Sequence, residues 1–371
     1  MNITCEHFGI VSALSLFRIV SVRNILVAEL ELHPKLNLIH GENGSGKTSI
    51  LEAAHLLSSG RSFRTSKSAT LINHNADELS IYAEDSAARR IGLAKPRRQS
   101  PQLKLDMESQ QNWDAVARLL PVQVLDASSF LLLEGGPKSR RRFLDWGVFH
   151  VEHSFLNYWR VTRKCIANRN QLLKAQRLDE KQLKAWDMEL CQAAAAVDLA
   201  RKRYFRNFLP AFNEIYKSLA EENAIEELSL EYNRGWDSEI ELVEVLQFAR
   251  PQDLKYGATQ NGPHRADIVV KVGQSPAIDV LSRGQQKVLV SALKIAQGSL
   301  YAEAIQDRCI YLVDDLPAEL DQENRAKILE NLLALDSQLF VTCVELNSVK
   351  SCLQSSPEMS TFHVERGTIT A

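Results

Sequence analysis

Apolar residues recur along this chain with two different periods, and the changes of period mark three stretches. In the first, LFRIVSVRNILVAELELHPKLNLIHG (16–41) alternates as two strands joined by a loop at His33 and Pro34. The second strand runs directly into glycines. KTSILEAAHLLSSG (47–60) then takes up a helical period and is closed by Gly60. LSIYAE (79–84) and IGLAK (91–95) return to strand alternation, and PVQVLDAS (121–128) reads as a buried strand before a loop at Gly135, Gly136 and Pro137. The first dozen residues read as dispensable to this pattern.

From about 149 to 222 the texture is long, charged and helical, with few glycines or prolines. Leu183, Leu190, Val197 and Tyr204 recur every seven residues, interleaved with Trp186, Ala193 and Ala200, while Trp159, Ile166 and Leu173 do so upstream of a polar break near Arg177 to Glu180. The spacing predicts an antiparallel helical hairpin with arms on the order of 40 Å long. A globular helical subdomain packed on a core is the alternative. The α/β pattern resumes near Leu254 and passes through GPHRADIVV (262–270), a helix in LSRGQQKVLVSALKIAQ (281–297), RCIYLVDDLPAEL (308–320), QLFVTCVE (338–345) and FHVERGTIT (362–370). The expected organisation is an α/β head split into residues 1–148 and 254–371, with a helical arm at 149–253 inserted between the halves.

Composition narrows the setting. The 371 residues are 45% apolar and 24% charged with a formal net charge of −2, enough apolar matter for a real core and no global signature of an acidic partner. A basic surface, if present, is local. The six cysteines are scattered without a C-x-x-C pair, which suits reduced thiols in a cytosol and argues against a zinc site. The most apolar runs are judged too short to cross a bilayer, and no basic region precedes the N-terminal apolar residues, so the expected setting is cytoplasmic, without membrane contact.

GENGSGKT (41–48) satisfies G-x-x-x-x-G-K-[ST] between a strand and a helix. In that arrangement Gly41, Glu42, Asn43, Gly44, Ser45 and Gly46 curl backbone N–H groups around phosphate oxygens. Lys47 reaches the β and γ phosphates and the Thr48 hydroxyl holds Mg²⁺. CIYLVDD (309–315) is an apolar strand ending in two carboxylates. Beside a phosphate loop, Asp314 is placed to assist Mg²⁺ and Asp315 to orient or deprotonate the attacking water; elsewhere such a pair only marks a strand reaching solvent. The helix opening at Ser282, Gly284 and Gln285 offers a second phosphate-binding end, or else a plain N-cap serine. Two such surfaces in one chain suit a two-fold dimer in which Ser282 serves the partner's nucleotide.

GENGSGKT, LSRGQQK and YLVDD…ELD together resemble the Walker A, signature and Walker B/D-loop set of ABC-type ATPases. The 240 residues from Gly41 to Leu281, with a helical insertion, resemble the SMC-like branch. GRSFRT (60–65), GGPKSRRRFLDW (135–146) and NGPHRADI (261–268) add a close resemblance to the RecF family across about residues 14–371. The resemblance implies binding of ATP and Mg²⁺, ATP-dependent homodimerisation, slow hydrolysis, and binding of DNA at single-strand/double-strand junctions or as single strands. It also implies work with RecR and RecO in loading RecA during recombinational repair and the SOS response. Asp315 stands where a transporter ATPase has glutamate, and Thr342 where it has a switch histidine. For the Q-loop glutamine, Gln123 lies within its strand, and Asp126 or Ser128 stands in the usual place. KPRR (95–98), KSRRR (138–142) and RKRYFR (201–206) are candidate DNA patches or simply solvated faces; Arg61, Arg64, His264 and Arg265 are candidates near the nucleotide or an interface, without assigned roles. A transporter nucleotide-binding subunit and a non-hydrolysing scaffold are the competing readings.

Overall fold

The computed structural model describes residues 13–220, 227–315, 320–353 and 357–370. The N-terminal dozen residues, and residues 316–319 of the D-loop run, lie outside that set. Two compact units emerge, Met1–Ser129 with Lys287–Ala371, and Phe130–Gln286.

In chain order the first unit contains β1 (Leu14–Val22), β2 (Ile25–Glu31), β3 (Leu36–His40), α1 (Lys47–Ser59), β4 (Glu78–Asp85), β5 (Arg90–Pro96), β6 (Gln102–Leu105), β7 (Glu108–Gln110), α2 (Asp114–Leu119) and β8 (Val122–Leu125). The second contains α3 (Pro137–Val151), α4 (Phe155–Leu173), α5 (Glu180–Leu219), β9 (Leu228–Asn233), α6 (Leu242–Phe248), α7 (Arg250–Tyr256), β10 (Asp267–Val272), β11 (Ser275–Pro276) and α8 (Ala277–Val280). The chain re-enters the first unit within α9 (Arg283–Ile305), and continues through β12 (Ile310–Val313), α10 (Gln322–Ala334), β13 (Gln338–Cys343), α11 (Asn347–Lys350), β14 (Met359–Glu365) and β15 (Thr368–Thr370).

The first unit is built on two sheets. One is antiparallel, in the order β2-β1-β4-β5-β6-β7. The other runs β15-β14-β3-β13-β12-β8 and is parallel except for β15 at its edge. Parallel strands covered on both faces read as continuous apolar runs, and IYLV and QLFVTC are buried at every position. Ile50, Leu51 and Leu57 of α1 share one core with Phe17, Leu30 and Ile81 of the antiparallel sheet and Leu312 and Phe340 of the parallel one. The first expected strand proves to be the β1–β2 hairpin. Its tight turn pairs Val22 with Ile25 and places Ser21 and Arg23 at φ near +57° and +55° without glycine or proline, so the usual turn signal was missing.

In the second unit Leu183, Leu190, Val197 and Tyr204 are all buried, and α4 lies antiparallel on α5, joined by Arg169 with Asp187 and by Lys164 over the Trp186 ring. The arms are unequal, contrary to the expected length: 19 residues against 40, or about 28 Å and 60 Å at 1.5 Å per residue. Beyond the paired portion α5 continues with Tyr204, Phe208, Phe212 and Tyr216 stacked ring on ring. The upstream heptad is only partly realised, because the buried positions of α4 are Phe155, Thr162, Cys165, Arg169 and Leu173. LSLEYN, within the stretch assigned to the helical arm, is β9, and it pairs with β10 along its full length. The compact units therefore divide at 129/130 and 286/287, whereas the expected boundaries stood at 148/149 and 253/254. Pairing draws β10 into the second unit, and α3 follows because Gly147 lies against the Tyr204 ring too closely to admit a Cβ.

α9 departs from one expectation drawn from composition. By length and hydropathy alone it could cross a membrane. Its apolar side chains, Val288, Leu289, Ala292, Leu293, Ile295 and Ala296, are instead buried inside the protein.

Candidate nucleotide-binding site

β3 ends at His40, and the loop that follows is braced from two directions. Gly41 sits at φ +147°, where a Cβ would collide with the Val364 carbonyl of β14, so only glycine lets the loop leave the sheet here. The Asn24 side chain, from the β1–β2 turn, donates to Ser45 O at 2.8 Å and accepts from Ser49 Oγ at 3.1 Å. Gly367 N, from the β14–β15 turn, also donates to Ser45 O, at 2.7 Å. Lys47 opens α1, is buried, and its Nζ donates to Gly41 O at 2.7 Å and Glu42 O at 3.0 Å. The ammonium is thus folded over the loop it serves.

Strand order assembles the rest. β13 lies between β3 and β12, so a residue far from both motifs in sequence stands beside them. Asp314 Oδ1 accepts from Thr48 Oγ1 at 2.9 Å and from Thr342 Oγ1 at 3.0 Å, and Asp315 N donates to Thr342 Oγ1 at 2.6 Å. Thr342 therefore holds the Asp314 carboxylate and the Asp315 backbone together. Burial pushes the Asp314 carboxyl above its usual range, while the two hydroxyl donors and the positive charge of Arg64 act against that rise. A hydroxyl and a carboxylate within 3 Å of each other are hard oxygen ligands of the kind Mg²⁺ accepts from a protein while keeping the remainder for water and phosphate. Asp315 follows at φ +49° and is exposed.

The start of α9 closes on itself. Ser282 N donates to Gln285 Oε1 at 2.9 Å and Gln285 N to Ser282 Oγ at 3.3 Å, a reciprocal capping box. Ser282, Arg283 and Gln285 are exposed, and Arg283 pairs with Glu134. A Cβ on Gly284 would meet no neighbour closer than 4.0 Å. These residues belong to the second unit and the phosphate loop to the first.

Sequence reasoning missed Arg23, Asn24 and Glu52. Glu52 is buried on the core side of α1, where it accepts from Arg23 Nε and Nη2 at 2.9 Å each and from the Ser62 hydroxyl. This anchors GRSFRT, and with it Arg64, to the helix carrying Lys47 and Thr48. An acidic residue between Leu51 and Ala53 on an otherwise apolar helix was the available signal.

The RecF/RecN/SMC N terminal domain family matches residues 13–370. The DNA replication and repair protein RecF of Pseudomonas fluorescens Pf-5 is 41% identical over 362 residues, 96% of this chain and 98% of that one. Its namesake from Azotobacter vinelandii is 42% identical over 356 residues, 95% and 96% of the two chains. This chain belongs to the RecF family. A solved structure of the recombination mediator protein RecF-ATP in the RecFOR pathway superposes with a TM-score of 0.85 at 23% identity, covering 99% of each chain, and an Smc head bound to the C-winged helix domain of ScpA with 0.56 at 15%, covering 96% of each. The ABC-type head fold of SMC proteins is shared throughout.

Within this RecF-family chain the basic runs are thinner than they read. Arg97 donates to Asn73 O and Ala76 O, Arg140 pairs with Asp267, Arg141 donates to Ala266 O, and buried Arg201 holds Asp145 and Pro263 O. Arg98, Lys138, Arg142 and Arg206 are exposed. His264 Nε2 contacts Thr259 O and Arg265 donates to Gln260, both within the second unit. Gln123 is buried and bonded to α9 residues, while Asp126 accepts from the hydroxyls of Ser128 and Ser129, at 2.9 Å each.

Proposed function

We propose that this chain is an ATP-gated DNA-binding protein of replication-linked recombinational repair. Mg²⁺·ATP is held by residues 41–48 and Asp314, and two copies close around two nucleotides, each completed in trans by Ser282, Gly284 and Gln285 of the other copy. The observation that carries this reading is the Thr48–Asp314 contact, because it joins Walker A and Walker B at one cation-sized position. Asp315 is one methylene shorter than the glutamate of fast ATPases, so hydrolysis is slow and serves as a switch. The relatives are named for DNA replication and repair and for recombination mediation in the RecFOR pathway, which supports DNA, RecR and RecO as partners; loading of RecA at gaps, a part in the SOS response and a place in the cytoplasm at the nucleoid complete the proposal. A transporter subunit fits the α4–α5 insertion poorly, and steady-state turnover separates a switch from a non-hydrolysing scaffold.

Mixing two defective variants tests the trans assignment. Lys47→Ala weakens nucleotide binding in its own loop, whereas Ser282→Arg leaves that binding largely intact and blocks ATP-dependent dimerisation. Each alone is nearly inactive. In mixture, heterodimers contain one sound site, formed by the loop of the Ser282→Arg chain and the signature helix of the Lys47→Ala chain, and turnover returns in part. Heterodimers that form without any recovered turnover refute the composite site.

A further inference from the structure

α9 turns a lysine, Lys294, toward the parallel sheet. Lys294 Nζ donates to Gln123 Oε1 at 3.1 Å, and the same amide donates through Nε2 to Gln297 Oε1 at 2.9 Å. Lys294 and Gln297 are three residues apart and so share one face of the helix. The same turn is tied to the next strand, because Tyr311 Oη donates to Lys294 O at 3.2 Å. Gly298 makes the approach possible, since a Cβ there would collide with the Tyr311 hydroxyl.

Gln123 and Tyr311 are register partners in the β8–β12 pair, so the two ties come from adjacent strands at one level. Three residues further along each strand stand Asp126 and Asp314, and Asp314 N donates to Leu125 O at 2.8 Å. At about 3.3 Å per residue, both carboxylates lie roughly 10 Å beyond the ties. A neutral side chain would occupy Lys294's place at less cost, since an ammonium withdrawn from water needs a compensating charge. The Asp126 carboxylate acts in that direction without outweighing the burial, and it also acts on Asp314, raising its pKa.

We infer that Lys294 is a positioning residue for ATP hydrolysis: it holds the signature helix in register on β8 and β12 and offsets the Asp126 charge beside Asp314. The inference rests on the ATPase reading above. Burial brings the ammonium down to about 8, with Asp126 acting in the opposite direction. Among the described residues His55 of α1 also faces it, and burial lowers the His55 imidazole as well. The charge on Lys294 is therefore present at neutral pH and lost as pH rises through about 8, which turns the charge-assisted bond to Gln123 into a weaker neutral one.

The test compares full-length wild type, Lys294→Met and Lys294→Arg for ATP binding and steady-state turnover from pH 6.5 to 9.5. The expected result for Met is an ATP dissociation constant and KM within about threefold of wild type, with kcat at least about tenfold lower. Arginine restores most of kcat at pH 7 and moves the alkaline fall in turnover upward. Should Lys294→Met melt well below wild type, Lys294→Gln, which keeps a donor for Gln123 without the charge, takes its place in the comparison. A neutral variant with wild-type kcat overturns the inference, as does an arginine variant no better than methionine. A wild type that binds ATP but never hydrolyses it refutes the ATPase reading itself, so the two failures are distinct.

Discussion

Asp314 is half-buried, held by two hydroxyls, and carries its charge at a cost to the fold. With its folded pKa raised above the unfolded value near 3.8, the native state retains the proton longer than the unfolded chain. Stability therefore falls as pH rises from the unfolded pKa through the folded one, and the penalty persists at neutral pH. Asp314→Asn removes the penalty while keeping the shape. Thermal melts from pH 4 to pH 8 are expected to place the variant at or above wild type at pH 7, with the gap closing toward pH 4. Its ATP affinity should no longer respond to Mg²⁺. A variant that melts several degrees lower at pH 7 contradicts this account.

At the scale of elements, the α4–α5 pair is held by a buried charge cluster as well as an apolar seam. Arg169 is fully buried and donates to Asp187 and Asp253 at 2.7 Å each and to Thr259 Oγ1 at 2.9 Å, tying both helices to the end of α7. Asp253 is fully buried as well. Removing the cation leaves that carboxylate uncompensated, which costs about 3–5 kcal/mol, whereas loss of an exposed surface arginine costs under about 0.5 kcal/mol. Arg169→Met should accordingly lower the urea midpoint sharply, and Arg177→Met, on the exposed connection between the helices, should leave it in place. Equal midpoints for the two variants would remove the cluster from the stability account.

For the whole molecule, a net charge of −2 leaves the proposed DNA binding to a local basic surface. Within the three basic runs Arg98, Lys138, Arg142 and Arg206 are exposed and are the proposed contacts, whereas Arg97, Arg140, Arg141 and Arg201 are engaged with protein carbonyls and carboxylates and exposed Lys202 and Arg203 pair with Asp198 and Glu152. Affinity for DNA in the presence of ATP should fall steeply with salt. Lys138→Glu or Arg142→Glu should each reduce the log–log slope by about one, as expected for one lost phosphate contact. Arg201→Gln should instead lower the melting temperature, since it strips Asp145 of its ion-pair partner and leaves it the Trp159 indole. Unchanged slopes in both glutamate variants would place the DNA surface elsewhere.

Local chemistry and regular periodicity were legible in the chain itself. The P-loop, the apolar strand ending at Asp314 and Asp315, the helix start at Ser282 and the buried heptad of α5 each depend on near neighbours, and a short sequence window contains all of them. The β1–β2 turn and β9 escaped it, the first because its Arg23-Asn24 turn has neither glycine nor proline and the second because a short alternating run is decided by the strand it pairs with. Thr342 at Asp314, Asn24 under the phosphate loop, and Lys294 on Gln123 join residues 28, 21 and 171 positions apart. Only the strand order and the docking of helices on sheets bring such pairs together, because a side chain's partner across a sheet is set by register and not by distance along the chain. The same holds for charge. A run of arginines declares its cations, but whether each one faces solvent or a buried carboxylate was decided by the tertiary structure alone.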